Sequence, residues 1–578
     1  MARRFSAQRA LHLLLNMTES DSNNEDTESD EENYYERDEA VQIDQEGSGD
    51  NAVDSENEDQ GDIEIASNNS ESSSESEIDE IRHEGLNANG IQYRSEPFDS
   101  RRRNRNVVEQ EARVLANPRS PIEAFDLFVS PEMIREIQRH TNRKASDLRR
   151  ASRTVSGYMI NFSFYEVRAG IGLFLKAGAV RDNMTEIEDL WNPVEGRPLF
   201  RAVMSKNRFK FFLRCLRFDN YRSRRQRLAG DRLAAISSIW QQFIANLRRH
   251  YIPGDTLTVD EQLVGYRGQI PGRTYIPSKP AKYGLKIFWL AEAGTGFALN
   301  AKIYTGRERD APVHRQLGKD VVMELAAPYF NTGREIVTDN FFTSHNLATS
   351  LLENRLTLLG TIRSHRREIP ASLKSKKRPV ESSLFVYDHA NKIVLVSYIP
   401  KKNKNVILLS SSHSGNSISP EDRNKPTMIL DYNRGKAGVD QLDQNIDEFT
   451  CRRKTVRWPL IVFYNILDVG CYNAYLLLKA ENPNLQRKSF IKELAFQLSE
   501  KHAKLRHTEN NHLPQPVKDA GILLGLRQPK PQQHQVLDNK VGHCNICYKN
   551  TRSKCEVCAK VVCPQHRVVT KICKCQFC

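Results

Sequence analysis

From Pro121 onward apolar residues recur at three- and four-residue steps, in Pro131-Glu-Met-Ile-Arg-Glu-Ile, across 165–177 and across 209–217. That spacing lines one face of a helix and predicts an all-helical region reaching about Pro253. The texture then changes to short β-prone runs. Thr256-Leu-Thr-Val-Asp260 reads as a brief strand, and 285–290 and 297–304 flank the turn-forming Ala293-Gly-Thr-Gly296, a hairpin signal. A helix near 321–325, a strand at 335–339, a helix near 347–352 and a strand at 356–362 follow. Three strands in hairpin order and then alternating helix and strand predict an α/β sheet layered with helices.

This is also the element order of a ribonuclease H-like fold. Between about Ser364 and Lys425 the chain is strand-prone and studded with basic residues, as in Lys374-Ser-Lys-Lys-Arg378 and Lys401-Lys-Asn-Lys404, and reads as an insertion into the sheet domain. A helical pattern resumes at Gly435 and continues from Cys451 to about Leu524, before a linker-like Arg527-Gln-Pro-Lys-Pro-Gln-Gln-His534. The first 90 or so residues are rich in Ser, Asn, Asp and Glu with few large apolar groups, and are expected to stay disordered. Arg101-Arg-Arg-Asn-Arg105 closes them, as a solvated linker, a localisation signal or a DNA-touching arm.

The expected fold class is therefore multidomain α/β. Its expected parts are a disordered acidic region (1–118), a helical region (119–253), a sheet core (254–363), an insertion domain (364–425), a final core helix (426–450), a second helical region (451–525), a linker (526–542) and a cysteine-rich domain (543–578).

Charge sharpens the picture. Residues 18–80 hold 25 Asp and Glu against one basic residue, Arg37, so an overall charge of +13 leaves an excess of 37 positive on the rest. The natural counterpart of such a body is a polyanion, since each neutralised phosphate releases counterions. No run of 18 apolar residues appears, which argues against a membrane-spanning helix. The start carries Arg3, Arg4 and Arg9 without an acid, but its apolar run at 11–15 is broken by His12 and is too short for a secretory core.

Of 11 cysteines, only Cys215, Cys451 and Cys471 precede residue 544. The other eight follow as Cys544-x2-Cys547-x7-Cys555-x2-Cys558-x4-Cys563-x2-His566, then Cys573, Cys575 and Cys578. Without a credible export signal the cluster reads as metal ligands rather than disulfides. Tight pairs separated by short loops make two four-ligand zinc sites in a cross-brace: Cys544, Cys547, Cys563 and His566 on one Zn2+, Cys555, Cys558, Cys575 and Cys578 on the other, with Cys573 as the alternative ligand. A ubiquitin-ligase RING is the competing use of such a brace, but its histidine usually precedes the third cysteine pair, whereas His566 follows Cys563. Eight basic residues against the single acid Glu556 from Lys540 onward favour DNA.

Four acids are candidates for chemistry. Asp260 and Asp339 end predicted strands, and Asp440 and Asp443 lie three apart on one face of a predicted helix. Strand ends and a helix laid across them can converge, and hard oxygen donors so placed suit a pair of Mg2+ ions, with Mn2+ as an alternative, in an in-line phosphodiester displacement. Singly, an acid at a strand end is more often a turn former or helix cap than a metal ligand. Glu261 adjoins Asp260, but strand alternation assigns it to the other face.

Thr258-Val-Asp-Glu-Gln-Leu263, Tyr275-Ile-Pro-Ser-Lys-Pro280 with Lys282-Tyr-Gly-Leu-Lys286, Thr338-Asp-Asn-Phe-Phe-Thr-Ser344, Leu359-Gly-Thr-Ile-Arg363, Gly438-Val-Asp-Gln-Leu-Asp443 and Arg452-Arg-Lys-Thr-Val-Arg-Trp-Pro459 resemble the successive blocks of piggyBac transposases, in family order. The resemblance runs from about residue 120 to the C-terminus. It implies a ribonuclease H-like catalytic core with Asp260, Asp339 and Asp440 as catalytic metal ligands and Asp443 as a fourth functional acid. It also implies excision through hairpin ends, joining at TTAA, flanking helical regions that dimerise and bind terminal inverted repeats, and work in the nucleus. Arg363, Arg366 and Arg367 fall in a block where the family contacts target DNA, and a planar guanidinium suits phosphate. The tail departs from the family's usual ending, where a four-residue gap follows the histidine; here Cys575-x2-Cys578 closes the site after eight. A second reading, a domesticated DNA-binding or chromatin protein that kept the fold and lost mobility, stands beside the enzyme.

Overall fold

The β-prone runs after Pro253 assemble into one nine-stranded sheet. In the computed structural model, which describes residues 87–98, 111–306, 316–510, 512–528, 541–553 and 560–566, its strands are β1 (Thr256–Gly265), β2 (Arg273–Tyr275), β3 (Tyr283–Glu292), β4 (Ala298–Ile303), β5 (Glu335–Thr338), β6 (Thr357–Thr361), β7 (Ser383–Asp388), β8 (Ile393–Lys401) and β9 (Lys404–Ser410). Their spatial order is β7-β8-β9-β6-β5-β1-β3-β2, with β4 also paired to β3. The ladders β1·β5 and β5·β6 are parallel and the others antiparallel. Central strands buried on both faces read as near-continuous apolar runs, and Leu285, Ile287, Phe288, Trp289 and Leu290 of β3 are all buried. The stretch expected as an insertion continues this sheet, because β9 pairs with β6, Leu359 opposite Ser410. Val394, Val396 and Leu408 share a core cluster with Val337 and Leu359.

The helical patterns form where caps and apolar stripes agree. Helices α1 (Pro131–Ala151) and α2 (Phe164–Ala179) start behind Ser130 and Ser163, whose hydroxyls accept from the backbone N–H groups of Met133 and Glu166. Pro131 occupies the first helical position of α1, where its missing N–H costs nothing. Helices α3 (Lys206–Cys215) and α4 (Ser237–Leu247) follow. α3 is locked to α2 by buried Arg208, which reaches both carboxylate oxygens of Glu166 at 2.7 and 2.8 Å and lies 3.7 Å from the Phe162 ring centroid. Between strands stand α5 (Leu317–Ala326) and α6 (His345–Glu353), and after the sheet α7 (Thr427–Gly435), α8 (Gly438–Glu448) and α9 (Trp458–Glu481). α9 is apolar on all sides because it runs through the core, where a helix has no solvated face to keep polar. Its Asn473 brackets Ala298 of β4, accepting from the backbone N–H at 3.0 Å and donating to the carbonyl at 2.8 Å.

The chain forms two units, one of Met1–Thr185 with Asn207–Leu498 and the other of Glu186–Lys206 with Ser499–Cys578. The first holds the sheet and the helices just named through α9. In the second, the end of α10 (Arg487–Glu509) and α11 (Gln515–Leu523) pack with the short helix Pro198–Val203. His507 meets the Ala202 carbonyl at 3.1 Å, and Arg506 donates to the carbonyls of Arg201 and Ala202. A Cβ on Gly521 would sit 2.4 Å from the His507 ring, so only glycine lets α11 approach.

Three local expectations change. β1 does not end at Asp260 but runs on to Gly265, because its antiparallel partner β3 pairs with it from Leu257 through Gly265. The part expected as a final core helix over 426–450 starts as helix at Thr427 but is two helices, α7 and α8. Within the stretch expected to be disordered, residues 87–98 form a small hairpin and bridge the sheet edge, Arg94 and Tyr387 exchanging backbone hydrogen bonds of 2.9 and 2.8 Å. Tyr93, buried and donating to the Glu368 carbonyl at 2.8 Å, and Phe98, edge-on to Tyr387, supply the apolar anchors that the surrounding acidic tract lacks.

Candidate active site

Val259 and Thr338 are opposite in the parallel β1·β5 ladder, so Asp260 and Asp339 follow side by side on neighbouring strands, whose axes lie about 4.8 Å apart. β5 stops at Thr338 while β1 continues, and the ladder opens at this pair. Asp339 also does the turn-forming work its position allows: its Oδ1 accepts from the Phe341 N–H at 3.0 Å, and its carbonyl accepts from the Thr343 hydroxyl at 2.7 Å.

Asp440 and Asp443 stand on the first turns of α8, which crosses β1 and β3. Glycines permit the approach. A Cβ on Gly438 would meet Thr258 Oγ1 at 2.8 Å and the Glu292 carbonyl at 2.9 Å, and one on Gly435 would meet Val337 Cγ2 at 2.8 Å. The Thr258 hydroxyl then donates to the Gly435 carbonyl at 2.6 Å. Asp440 sits in the first turn, where the helix macrodipole favours an anion. Asp443 Oδ1 accepts from Gln262 Nε2 at 2.8 Å.

Electrostatics couples the carboxyls to one another. Burial, then the charges of Glu261, Asp339 and Asp440, push the Asp260 carboxyl from the usual 3.8 up to about 8. Burial and then Glu261 push Asp339 to about 6, against backbone N–H groups of Phe341 and Phe342 and the Arg363 guanidinium. Glu261 is thus the strongest neighbouring charge on both, although alternation assigns its side chain to the other face. Burial raises Asp443 as well, against the Gln262 hydrogen bond. Tyr432 also faces the cluster: burial raises its phenol, and Asp339, Asp260 and Asp440 add to the rise. Lys279 completes the rim, with Nζ donating to the Glu261 carbonyl at 3.3 Å and 3.9 Å from Asp440 Oδ1. Arg363 donates to Asn340 Oδ1 at 3.2 Å, and Arg366 and Arg367 continue the turn after β6.

Carboxylates crowded this way are chemically suited to a hard divalent cation, which relieves their repulsion and takes oxygen ligands. A pH test follows. Both carboxyls hold their protons more tightly folded than unfolded, so the stability they contribute is full below about pH 4 and is lost as pH rises towards about 6 for Asp339 and about 8 for Asp260. In Zn2+-loaded, Mg2+-free protein the melting temperature of Asp260→Asn should pull ahead of wild type progressively between pH 4 and 8, and added Mg2+ should narrow the gap. A constant gap across that range would show that Asp260 is not strained by its neighbours.

The second cluster is near the C-terminus. The hairpin Gly542–His543 with Asn550–Thr551 presents Cys544 and Cys547, and the turn holding Cys563 and His566 meets it through the Asn545 N–H to the Val561 carbonyl at 2.9 Å. One donor atom from each of Cys544, Cys547, Cys563 and His566 lies within 4.8 Å of every other. Backbone N–H groups of Cys563, Cys547 and Ile546 hold the Cys544 thiol down to about 5, the thiolate form that binds metal. Cys555, Cys558, Cys573, Cys575 and Cys578 lie outside the described residues.

A family model described as "Transposase IS4" matches residues 120–475. Among curated proteins, the human PiggyBac transposable element-derived protein 2 is 22% identical over 381 residues, spanning 62% of this chain and 61% of the relative. The human PiggyBac transposable element-derived protein 3 is 24% identical over 477 residues, 76% of this chain and 74% of that one. A cryo-EM structure of a piggyBac transposase synaptic complex with hairpin DNA aligns at 34% identity with a TM-score of 0.68, over 80% of this chain and 98% of that one. The chain belongs to the piggyBac-type transposases. In this piggyBac-type chain the sheet and α8 bring Asp260, Asp339 and Asp440 to one place, with Arg363 beside Asp339 and Asp443 beside Asp440. Reasoning along the sequence passed over Gln262, Lys279 and Tyr432. Gln262 lies within Thr258-Val-Asp-Glu-Gln-Leu263 and Lys279 within Tyr275-Ile-Pro-Ser-Lys-Pro280, where nothing local sets them apart, and nothing in the sequence around Tyr432 marks it.

Proposed function

We propose that this chain is a cut-and-paste DNA transposase, which cuts DNA strands, excises an element through hairpin ends and joins it at TTAA. The observation that carries the reading is the pairing of Asp260 and Asp339 at the open end of a parallel ladder under Asp440. In the order β4-β3-β1-β5-β6 the first three strands run antiparallel and the last two are parallel to β1, which supports a ribonuclease H-like core. When bound, two Mg2+ or Mn2+ ions would supply charge for activating the attacking water or 3′-hydroxyl and for stabilising the leaving oxygen. Asp260, Asp339 and Asp440 would hold them, and Asp443 would support the site. Arg363, Arg366 and Arg367 would clamp target phosphates. The cross-brace tail, with two Zn2+, and the helical regions would bind the terminal inverted repeats. A homodimer working in the nucleus completes the proposal.

The human relatives, named as derived from transposable elements, favour a second reading in which the chain binds DNA without moving it. The two separate in one reaction. Purified protein, Mg2+, a duplex carrying the element's own ends and a plasmid rich in TTAA should yield hairpin-ended intermediates and junctions at TTAA. Tight binding with neither product would rule out the enzyme and leave the binding protein.

A further inference from the structure

We propose that Gln262 is the positioning residue of Asp443, its amide clamped by Trp289 and Asn465 so that only an N–H can face the carboxylate; the proposal rests on the strand-cutting reading above. Thr258, Asp260 and Gln262 alternate onto the face of β1 that α8 covers. Gln262 is buried there at 4% exposure, between fully buried Trp289 and Asn465 at 5%.

Three hydrogen bonds fix it. Trp289 Nε1 donates to Gln262 Oε1 at 2.9 Å, Asn465 Nδ2 donates to the same oxygen at 3.2 Å, and Gln262 Nε2 donates to Asp443 Oδ1 at 2.8 Å. An indole N–H can only donate and an ionised carboxylate can only accept. Turning the amide over would set its N–H group against the indole N–H and its carbonyl against the carboxylate. The orientation is therefore dictated by its partners, and each bond is strengthened by burial because no water can replace it.

The consequence reaches the chemistry. Residues 262 and 443 belong to β1 and α8, so this bond is a polar pin between the strand that carries Asp260 and the helix that carries Asp440 and Asp443. It holds the Asp443 carboxylate in one orientation and sets the register of α8 over the aspartate pair. The competing role is that of a core amide which merely satisfies Trp289 and Asn465. It predicts lost stability on substitution without any dependence on Asp443.

Mn2+ affinity of the full-length, Zn2+-loaded chain, read by electron paramagnetic resonance, separates them even in inactive variants. Losing one hydrogen bond to a charged group corresponds to about a tenfold effect. Gln262→Leu should weaken Mn2+ binding by about that factor, and in the Asp443→Ala background it should add less than about twofold. Trp289→Phe keeps the glutamine but removes one of the two donors to its Oε1, and should give a smaller loss, about threefold, that also vanishes in the Asp443→Ala background. This second variant decides the matter if Gln262→Leu does not fold. Losses that add in the double variants, or folded Gln262→Leu or Trp289→Phe proteins with unchanged Mn2+ affinity, overturn the proposal. Asp260→Ala is the control: if it leaves Mn2+ affinity intact the reading of the whole site fails, whereas a normal loss there beside a silent Gln262→Leu removes only the positioning role.

Discussion

Asp260→Ala, Asp339→Ala and Asp440→Ala should each reduce cutting and joining of DNA that carries the element's own ends by about a thousandfold or more, which needs a barrier increase of only about 4 kcal/mol. None should unfold the protein. Asp260 and Asp339 sit in raised-pKa, mutually repelling positions, so removing either relieves strain in the metal-free fold while leaving an ion under-coordinated. Asp440 is largely exposed on the first turn of α8, and its loss opens no cavity. Single-turnover cleavage assays on folded variants check this, and near-wild-type rates in any one would remove that residue from the site.

The second large effect lies in the tail. Residues 540–578 should carry two zinc ions per chain, and chelation should unfold them, because so short a segment has little apolar core and metal affinity is its folding energy. The convergence of Cys544, Cys547, Cys563 and His566 within 4.8 Å supplies the four donors that one such ion would take. Elemental analysis giving one zinc or none would reject the two-site arrangement. For the second site, Cys575→Ser losing a zinc while Cys573→Ser keeps both would place the closing ligand at 575, and the reverse would place it at 573.

Much of the fold was legible because local signals and tertiary packing agree. Ser130 and Ser163 mark helix starts, and the Gly-rich turn at 293–296 joins β3 to β4 where the hairpin was expected. The convergence of the aspartates was legible only as a candidate, since it depends on which strands pair. The end of β1 was misplaced because Asp260 looks like a strand terminator, while the strand is prolonged by β3, which no local pattern reveals. Gln262 was invisible for the same reason. Its partners, Trp289, Asp443 and Asn465, lie 27, 181 and 203 positions away. The hairpin at 87–98 was hidden by the acidic tract before it, whose composition outweighs two aromatic anchors when averaged over a long window.

The central claim is that Asp260, Asp339 and Asp440 form one metal-holding centre for cutting DNA. Anomalous scattering from Mn2+ in crystals of the chain bound to its element ends tests it most directly. The account predicts two peaks about 4 Å apart, each bound by carboxylate oxygens of these three residues and bracketing the scissile phosphate. Mn2+ peaks elsewhere on the protein, with these three carboxylates free of metal in a DNA-bound complex, would contradict it.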